Sequence, residues 1–145
     1  MHTDLPYGTR LIGQTEKTLN AILERLLTGS GIGEREWVAL TVLLQAGPDT
    51  RTAASARVAA ALKLEPRDGA TVIDALASRD LVSTTVDGVR ASDAGRALHA
   101  DVRARVDELV ERLWGDIPSD ERAAAASVLN RTLRRAADEL DALRA

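Results

Sequence analysis

Apolar residues recur three and four positions apart over most of the chain, a spacing typical of helices with one buried face. The first such segment runs from about Thr9 to Thr28 and ends in the glycine-rich stretch Gly29 to Gly33; the second runs from about Glu34 to Ala46. Two short helical segments follow, from about Ala53 to Leu62 and from about Pro66 to Arg79, with three residues between them. This pattern predicts a helix, a tight turn and a second helix.

A β-prone region follows the two short helices. Leu81 to Val86 and Val89 to Ala91 flank the pair Asp87-Gly88. An Asp-Gly pair between such segments predicts a two-residue hairpin turn, because both residues tolerate a positive φ.

Two further helices complete the pattern. Ser92 is expected to cap a helix that runs to about Trp114, and Ser119 to cap a last helix that reaches the C-terminus. The apolar stripes of the long terminal helices exceed what the small middle region can cover. We therefore expect the chain to pair with a second copy, with twofold symmetry.

The predicted fold class is mainly α. It is a winged helix-turn-helix with long N- and C-terminal dimerisation helices and a short two-stranded wing. With 145 residues, 45% of them apolar, the chain is expected to form one domain over 1–145. Within it we assign 9–33 and 93–145 to dimerisation and 34–92 to the winged helix-turn-helix module.

Charge and composition exclude several classes of function. The net charge of -3 excludes a basic protein that coats nucleic acid, and the lack of cysteine excludes disulfides and thiolate metal sites. The N-terminus carries no apolar targeting segment, and no run is long enough to cross a bilayer. We expect a cytoplasmic protein with no membrane association.

Residues that could support catalysis do not cluster in the sequence. The two histidines, His2 and His99, lie far apart, so we predict no metal site, no cofactor and no enzyme activity. We expect His99 on a helix surface or at an interface. The stretch Gly29 to Gly33 follows a helix and lacks the phosphate-binding lysine of a P-loop, so it is interpreted as a connector.

The second short helix carries a candidate reading surface. If its apolar stripe Gly69, Val72, Ile73 and Leu76 faces inward, four polar side chains form an outer stripe: Arg67, Thr71, Asp74 and Ser78. Arg67 would contact guanine or phosphate, and Thr71 and Ser78 would reach phosphate or base edges. Asp74 would repel phosphate unless it accepts a hydrogen bond from cytosine. The alternative is an ordinary solvated helix face.

Several segments, taken in order, resemble the MarR family of bacterial winged-helix transcription regulators, over nearly the whole chain. The matching segments are Glu36 to Leu40 with Leu43-Leu44, Val58-Ala59 with Leu62, Val72 to Leu76, Leu81-Val82, and Ala91 to Leu98. The order and spacing of these segments carry the resemblance, since each alone is unspecific.

The resemblance implies a homodimer on a double-stranded, pseudo-palindromic DNA operator, often released by a small aromatic ligand. The first and last helices would form the dimer interface, and we assign to it Leu11, Ile12, Leu129, Leu133 and Leu140. Arg90 in the wing would contact DNA. Trp37 would form a wall of a ligand pocket between the dimerisation helices and the DNA-binding module, although its ordinary interpretation is a core residue.

The chain departs from the family pattern in its wing. The family wing is longer and rich in arginine, whereas Val86 to Val89 closes this one in two residues and leaves only Arg90. Asp68 and Asp74 add negative charge to the recognition helix, and Gly33 stands where the family has threonine. The short wing and the excess of acidic over basic residues favour an alternative function, a winged-helix module that binds proteins or ligands but not DNA.

Overall fold

A computed structural model describes residues 3–145, so His2 lies outside the described residues. Over this range the chain forms six helices and a two-stranded antiparallel sheet, in the order that the sequence predicts. The elements are α1 (Thr9–Leu26), α2 (Glu34–Ala46), α3 (Arg51–Leu62), α4 (Pro66–Ala77), β1 (Val82–Thr85), β2 (Gly88–Ala91), α5 (Asp93–Trp114) and α6 (Ser119–Arg144). The mainly helical fold class with a short wing is confirmed.

The region from α2 to β2, here called the winged-helix module, belongs to a compact unit that ends at Val106. Its core draws apolar side chains from every element of the module. Fully buried or nearly so are Leu40 and Leu43 of α2, Ala54 and Val58 of α3, Val72, Ile73 and Leu76 of α4, Val82 of β1, and Val89 and Ala91 of β2, with Leu27, Ile32 and Val102 from flanking segments. The module therefore buries an apolar core from within its own chain.

Helices α3 and α4 pack very closely, and a glycine makes this possible. A side chain at Gly69 would meet the backbone carbonyl of Ser55 and approach the Cβ of Ala59 to 3.0 Å. The connection between the helices is also tight: Lys63 adopts the left-handed conformation with φ 58°, and the Leu64 N–H donates to the Ala59 carbonyl at 2.8 Å. The predicted helix, turn and helix is thus confirmed.

The wing turn lies one residue earlier than the sequence predicts. Thr85 pairs with Gly88, so the two loop residues are Val86 and Asp87 rather than Asp87 and Gly88. Gly88 instead begins β2 with φ 129° and lies against the Asp49 carbonyl, where a side chain would collide. The segment before α3 fixes this register, because the Asp49 N–H donates to the Val89 carbonyl at 3.2 Å and the Val89 N–H donates back at 2.8 Å.

Helix ends and faces differ from the predictions in several places, and α1 and α4 each end two residues early, at Leu26 and Ala77. Ser92 caps α5 as predicted, since its Oγ accepts from the Gly95 N–H at 3.0 Å. Ser119 is instead the first residue of α6, after Pro118, so its predicted role as a cap is wrong. Helix α3 begins at Arg51, two residues early, because the Thr50 hydroxyl accepts from the Ala53 N–H at 3.2 Å. The helical period predicts that Ala61 shares a buried face with Ala54 and Val58, but Ala61 is exposed and Ala59 is buried instead.

The second compact unit, Asp107 to Ala145, contains the end of α5 and all of α6. Within Ser119–Arg144 the described side chains include no buried residue. Leu133 is 58% exposed, and Val128, Leu129 and Leu143 are exposed as well. The domain bounds assigned from the sequence stay predictions. Among the helices of residues 3–145, none is long and apolar enough to span a membrane.

Candidate nucleic-acid interface

The four polar residues predicted to face outward on α4 do so. Arg67, Thr71, Asp74 and Ser78 are exposed, while the buried residues of the helix are Gly69, Val72, Ile73 and Leu76. The two hydroxyls make bonds within the helix: Thr71 Oγ1 donates to the Arg67 carbonyl at 3.1 Å, and Ser78 Oγ to the Ala75 carbonyl at 2.7 Å. To donate to a phosphate, which has only acceptor oxygens, each hydroxyl would have to leave its present bond.

Asp74 is engaged by an arginine from the neighbouring helix. Arg51, the first residue of α3, donates from Nη2 to Asp74 Oδ1 at 2.7 Å. Both side chains remain in contact with solvent, 47% exposed for Arg51 and 60% for Asp74. The sequence prediction omitted Arg51, because 23 residues separate the partners and no local spacing relates them. The negative charge expected on the outer face of α4 therefore has a positive partner.

Arg90 lies exposed on β2, opposite Ser83 of β1. It lines a cavity of about 300 Å³ together with Ser83, Ala91, Ser92, Asp93 and Arg96. Arg96 Nη1 donates to the Ala91 carbonyl at 2.6 Å, which fixes that guanidinium beside the wing. Two arginines thus flank the junction between the wing and α5.

Asp49 ties the wing to α3 through its side chain as well as its backbone. Its Oδ1 accepts from the Thr50 N–H at 2.8 Å, and its Oδ2 accepts from Arg57 Nε at 3.1 Å. Together with the bridge to Val89, these bonds join the start of α3 to β2.

Trp37 and His99 form an aromatic stack between α2 and α5. Their ring centroids lie 4.5 Å apart with the planes inclined by 11°, and the His99 Nε2 lies 3.0 Å from Thr41 Oγ1. Burial, with a smaller contribution from the positive charge of Arg103, lowers the pKa of His99 below its usual 6.5. Of the two positions expected for His99, a helix surface or an interface, the structure departs from the first, since His99 is half-buried against a buried Trp37.

Comparison with known proteins gives matches at the level of structure. No protein-family model matches the chain, and no curated protein matches it. A MarR-family transcriptional regulator from Rhodococcus sp. RHA1 is 25% identical, with a TM-score of 0.68 over 82% of this chain and 88% of that one. CouR from Rhodococcus jostii RHA1, bound to p-coumaroyl-CoA, is 24% identical, with a TM-score of 0.70 over 82% and 86%.

A MarR-family protein of Mycobacterium tuberculosis in complex with DNA is 22% identical, with a TM-score of 0.67 over 89% of this chain and 98% of that one. The agreement covers most of both chains in each case. The chain has the MarR-family winged-helix fold. The resemblance drawn from the order and spacing of sequence segments is confirmed.

Within the MarR-family fold, the chain's wing has a short tip of two residues, Val86 and Asp87. Val86, at that tip, is exposed. Arg90 stands on the strand behind the tip rather than on the tip itself. Arg67, Thr71, Asp74, Ser78 and Arg90 stay predicted DNA contacts.

The residues predicted to form the dimer interface lie on two helices. Leu11 and Ile12 are half-buried on α1, whereas Leu129 and Leu133 are exposed and Leu140 is half-buried on α6. Their role at an interface stays a prediction, as does the role of Trp37 in ligand binding.

Proposed function

We propose that the chain is a homodimeric, DNA-binding transcriptional regulator, released from a pseudo-palindromic operator by a small aromatic molecule. The observation that carries the proposal is the exposed stripe of α4, with Arg67, Thr71 and Ser78 on the second helix of a helix-turn-helix. In this motif the second helix lies in the major groove and the first crosses the DNA backbone. The function is non-enzymatic, in the cytoplasm of a bacterium.

Structural neighbours support DNA as the partner, since one of them was solved in complex with DNA. By analogy, Arg67 contacts a guanine edge or a phosphate near the start of α4, and Thr71 and Ser78 contact phosphate or base edges. Arg90 contacts the sugar-phosphate backbone beside the wing.

The exposed apolar residues of α6 support the homodimer. A 26-residue helix with none of its described residues buried gains little from packing within its own chain. Leu129, Leu133 and Leu140 recur at the four- and seven-residue spacing of one helix face, the pattern that a second helix covers. A second copy of the chain is the partner that twofold operators require.

CouR, bound to p-coumaroyl-CoA, supports an aromatic effector. In this chain the Trp37 ring, stacked on His99, offers a flat surface for which an aromatic ligand would compete. A ligand that displaces the His99 ring would change the fluorescence of Trp37, whereas Trp114, which is exposed and takes no part in the stack, would be unaffected.

Fluorescence anisotropy with labelled duplexes tests the proposal. One duplex carries the DNA upstream of the gene, and the control carries the same bases scrambled. We expect selective binding to the first duplex that weakens steeply as salt rises, because phosphate contacts release counterions. A folded dimer that binds neither duplex at the lowest salt would contradict it.

Arg67 is the side chain whose removal tests the reading stripe most directly. Arg67→Ala should weaken operator binding by about 1–3 kcal/mol if the guanidinium is bidentate to guanine. Arg131→Ala on α6 is the matched control, since it removes the same charge outside the winged-helix module. Equal affinities for Arg67→Ala and the wild type would remove Arg67 from the interface.

The short wing and the net charge of -3 favour a second candidate: a module that binds a protein or a ligand without DNA. The same anisotropy series separates the two, because the second candidate predicts no salt-dependent DNA binding.

A further inference from the structure

We propose that Arg51 is a DNA-phosphate contact of this chain and that Asp74 is the positioning residue that holds it beside the α4 stripe. This inference rests on the proposed DNA-binding function and assigns one of its contacts. It starts from the hydrogen bond between Arg51 Nη2 and Asp74 Oδ1, 2.7 Å long, which joins the first residue of α3 to the middle of the exposed stripe.

The position of Arg51 in the fold suits a phosphate. In a helix-turn-helix the first helix crosses the DNA backbone while the second enters the groove. Arg51 stands at the N-terminal end of that first helix, where helix amides and the helix dipole also favour an anion. The bond to Asp74 holds its guanidinium on the outer face of α4, on the side where Arg67 and Thr71 are exposed.

The donor geometry leaves capacity for a second partner. A guanidinium has five N–H donors in a planar fork, and the bond to Asp74 uses one N–H of the Arg51 Nη2 atom. The remaining edge can donate to phosphate oxygens while the carboxylate fixes the orientation of the plane. Less conformational freedom is then lost when DNA binds.

Counting Arg51 with the α4 stripe changes the net charge of this face. Arg67 and Asp74 alone sum to zero, which makes the face a poor partner for a polyanion. With Arg51 held there the three groups sum to +1, and Asp74 changes from a repelling charge into an orienting acceptor.

Because Arg51 and Asp74 are both exposed, their ion pair is not expected to be needed for folding, and an effect of its removal on DNA binding can be measured separately. With 47% and 60% of the side chains exposed, solvent screens the attraction, and exposed pairs of this kind add little to folding stability. Removing either partner should therefore leave the folded protein intact.

A second pair on the same helix supplies a matched control. Arg57 donates to Asp49 at 3.1 Å from an exposed position on α3, but Asp49 lies before that helix and outside the α4 stripe. Arg57→Ala removes an arginine and an ion pair from α3 without touching the proposed contact.

The test is anisotropy of the full chain on operator and scrambled duplexes across a salt series, for Arg51→Ala, Asp74→Ala, the double variant and Arg57→Ala. Arg51→Ala should weaken binding to both duplexes on the order of tenfold and lower the salt slope by about 1. Arg57→Ala should change affinity by less than about twofold.

Asp74→Ala gives the sharpest result, because a charge argument and a positioning argument predict opposite signs. We expect it to weaken binding while Arg51 is present, although it removes a negative charge, and to have no effect or tighten binding in the Arg51→Ala background. Asp74→Glu, which keeps an acceptor, should recover part of the loss.

Three results would overturn the inference. If Asp74→Ala tightens DNA binding equally with and without Arg51, the two residues are not coupled. If Arg51→Ala leaves the salt slope of binding unchanged, Arg51 makes no phosphate contact. If Arg51→Ala weakens binding to the operator alone, Arg51 contacts a base edge instead. Wild-type protein that binds neither duplex would overturn the proposed function itself, so the two failures are distinguishable. Arg51→Gln and Asp74→Asn replace any alanine variant whose circular dichroism shows unfolding.

Discussion

The winged-helix module and helix α6 differ in where their apolar side chains lie. In the module, apolar residues from α2, α3, α4 and both strands are buried together, and the polar residues of α4 form the outer stripe. In α6 the apolar side chains Leu129 and Leu133 are exposed. The first region completes its core within one chain, whereas the second presents an apolar face that a partner would cover.

This difference assigns different tasks to the two regions. A self-sufficient module can present a fixed set of polar side chains, such as those of α4, without help from a partner. A helix with an uncovered apolar face instead contributes stability only when a second surface binds it. A second copy of the chain, bound through α6 and related by a twofold axis, would also give the protein two copies of the α4 stripe, as a pseudo-palindromic operator requires.

The largest expected effect comes from placing charge on the face of α6. Leu129→Glu with Leu133→Glu should dissociate the dimer, because each unpaired carboxylate buried at the interface costs about 3–5 kcal/mol. Analytical ultracentrifugation measures the mass. Val86→Glu at the exposed wing tip is the control and should remain dimeric. If the double variant stays dimeric, α6 does not form the interface.

A smaller effect is expected where α3 and α4 meet inside the module. Gly69→Ala should lower the free energy of unfolding by about 1–3 kcal/mol, because its Cβ would collide with the Ser55 carbonyl. This sign is opposite to helix propensity, which favours alanine by about 1 kcal/mol.

Ala60→Gly on the exposed face of α3 is the matched control for Gly69→Ala, and it should follow propensity and destabilise by about 1 kcal/mol. Chemical denaturation followed by circular dichroism compares the two variants. A stabilising Gly69→Ala would show that the helices are not in close contact.

The smallest effect is a pH dependence from His99. Because burial lowers its pKa below 6.5, the unfolded chain binds more protons than the folded chain just below that pH. The contribution to stability is therefore complete above about pH 6.5 and decreases as the pH falls from there toward the lowered pKa. His99→Gln should remove this part of the pH dependence in denaturation curves. If the free energy of unfolding changes with pH in the same way for the wild type and for His99→Gln, the assignment of this pH dependence to His99 is contradicted.

Sequence periodicity predicted the features that depend on neighbours along the chain. The buried residues of α4 and its exposed polar stripe follow from the 3.6-residue period, and the cap at Ser92 follows from the residue before an apolar helix. The MarR-family resemblance was visible because it rests on the order of such segments.

Some incorrect predictions are local, such as Ser119 as a cap and the start of α3, but those that affect the site concern contacts between distant segments. The wing turn shifts by one residue because Asp49 pairs with Val89 and leaves room only for glycine at position 88. The pair of Arg51 with Asp74 and the stack of His99 on Trp37 join separate helices, for which no local spacing gives a signal. The short-range pattern thus predicts the order of the helices and the outer face of α4, while packing between helices decides the partners of the side chains at the site.

Native mass spectrometry of the wild-type chain mixed with an operator duplex and with a scrambled duplex tests the central claim most directly. We expect a complex of one operator duplex with two chains of 15.5 kDa each, which is lost at higher salt and scarce with the scrambled duplex. A folded single chain that forms no complex with either duplex would contradict both the dimer and the DNA-binding function.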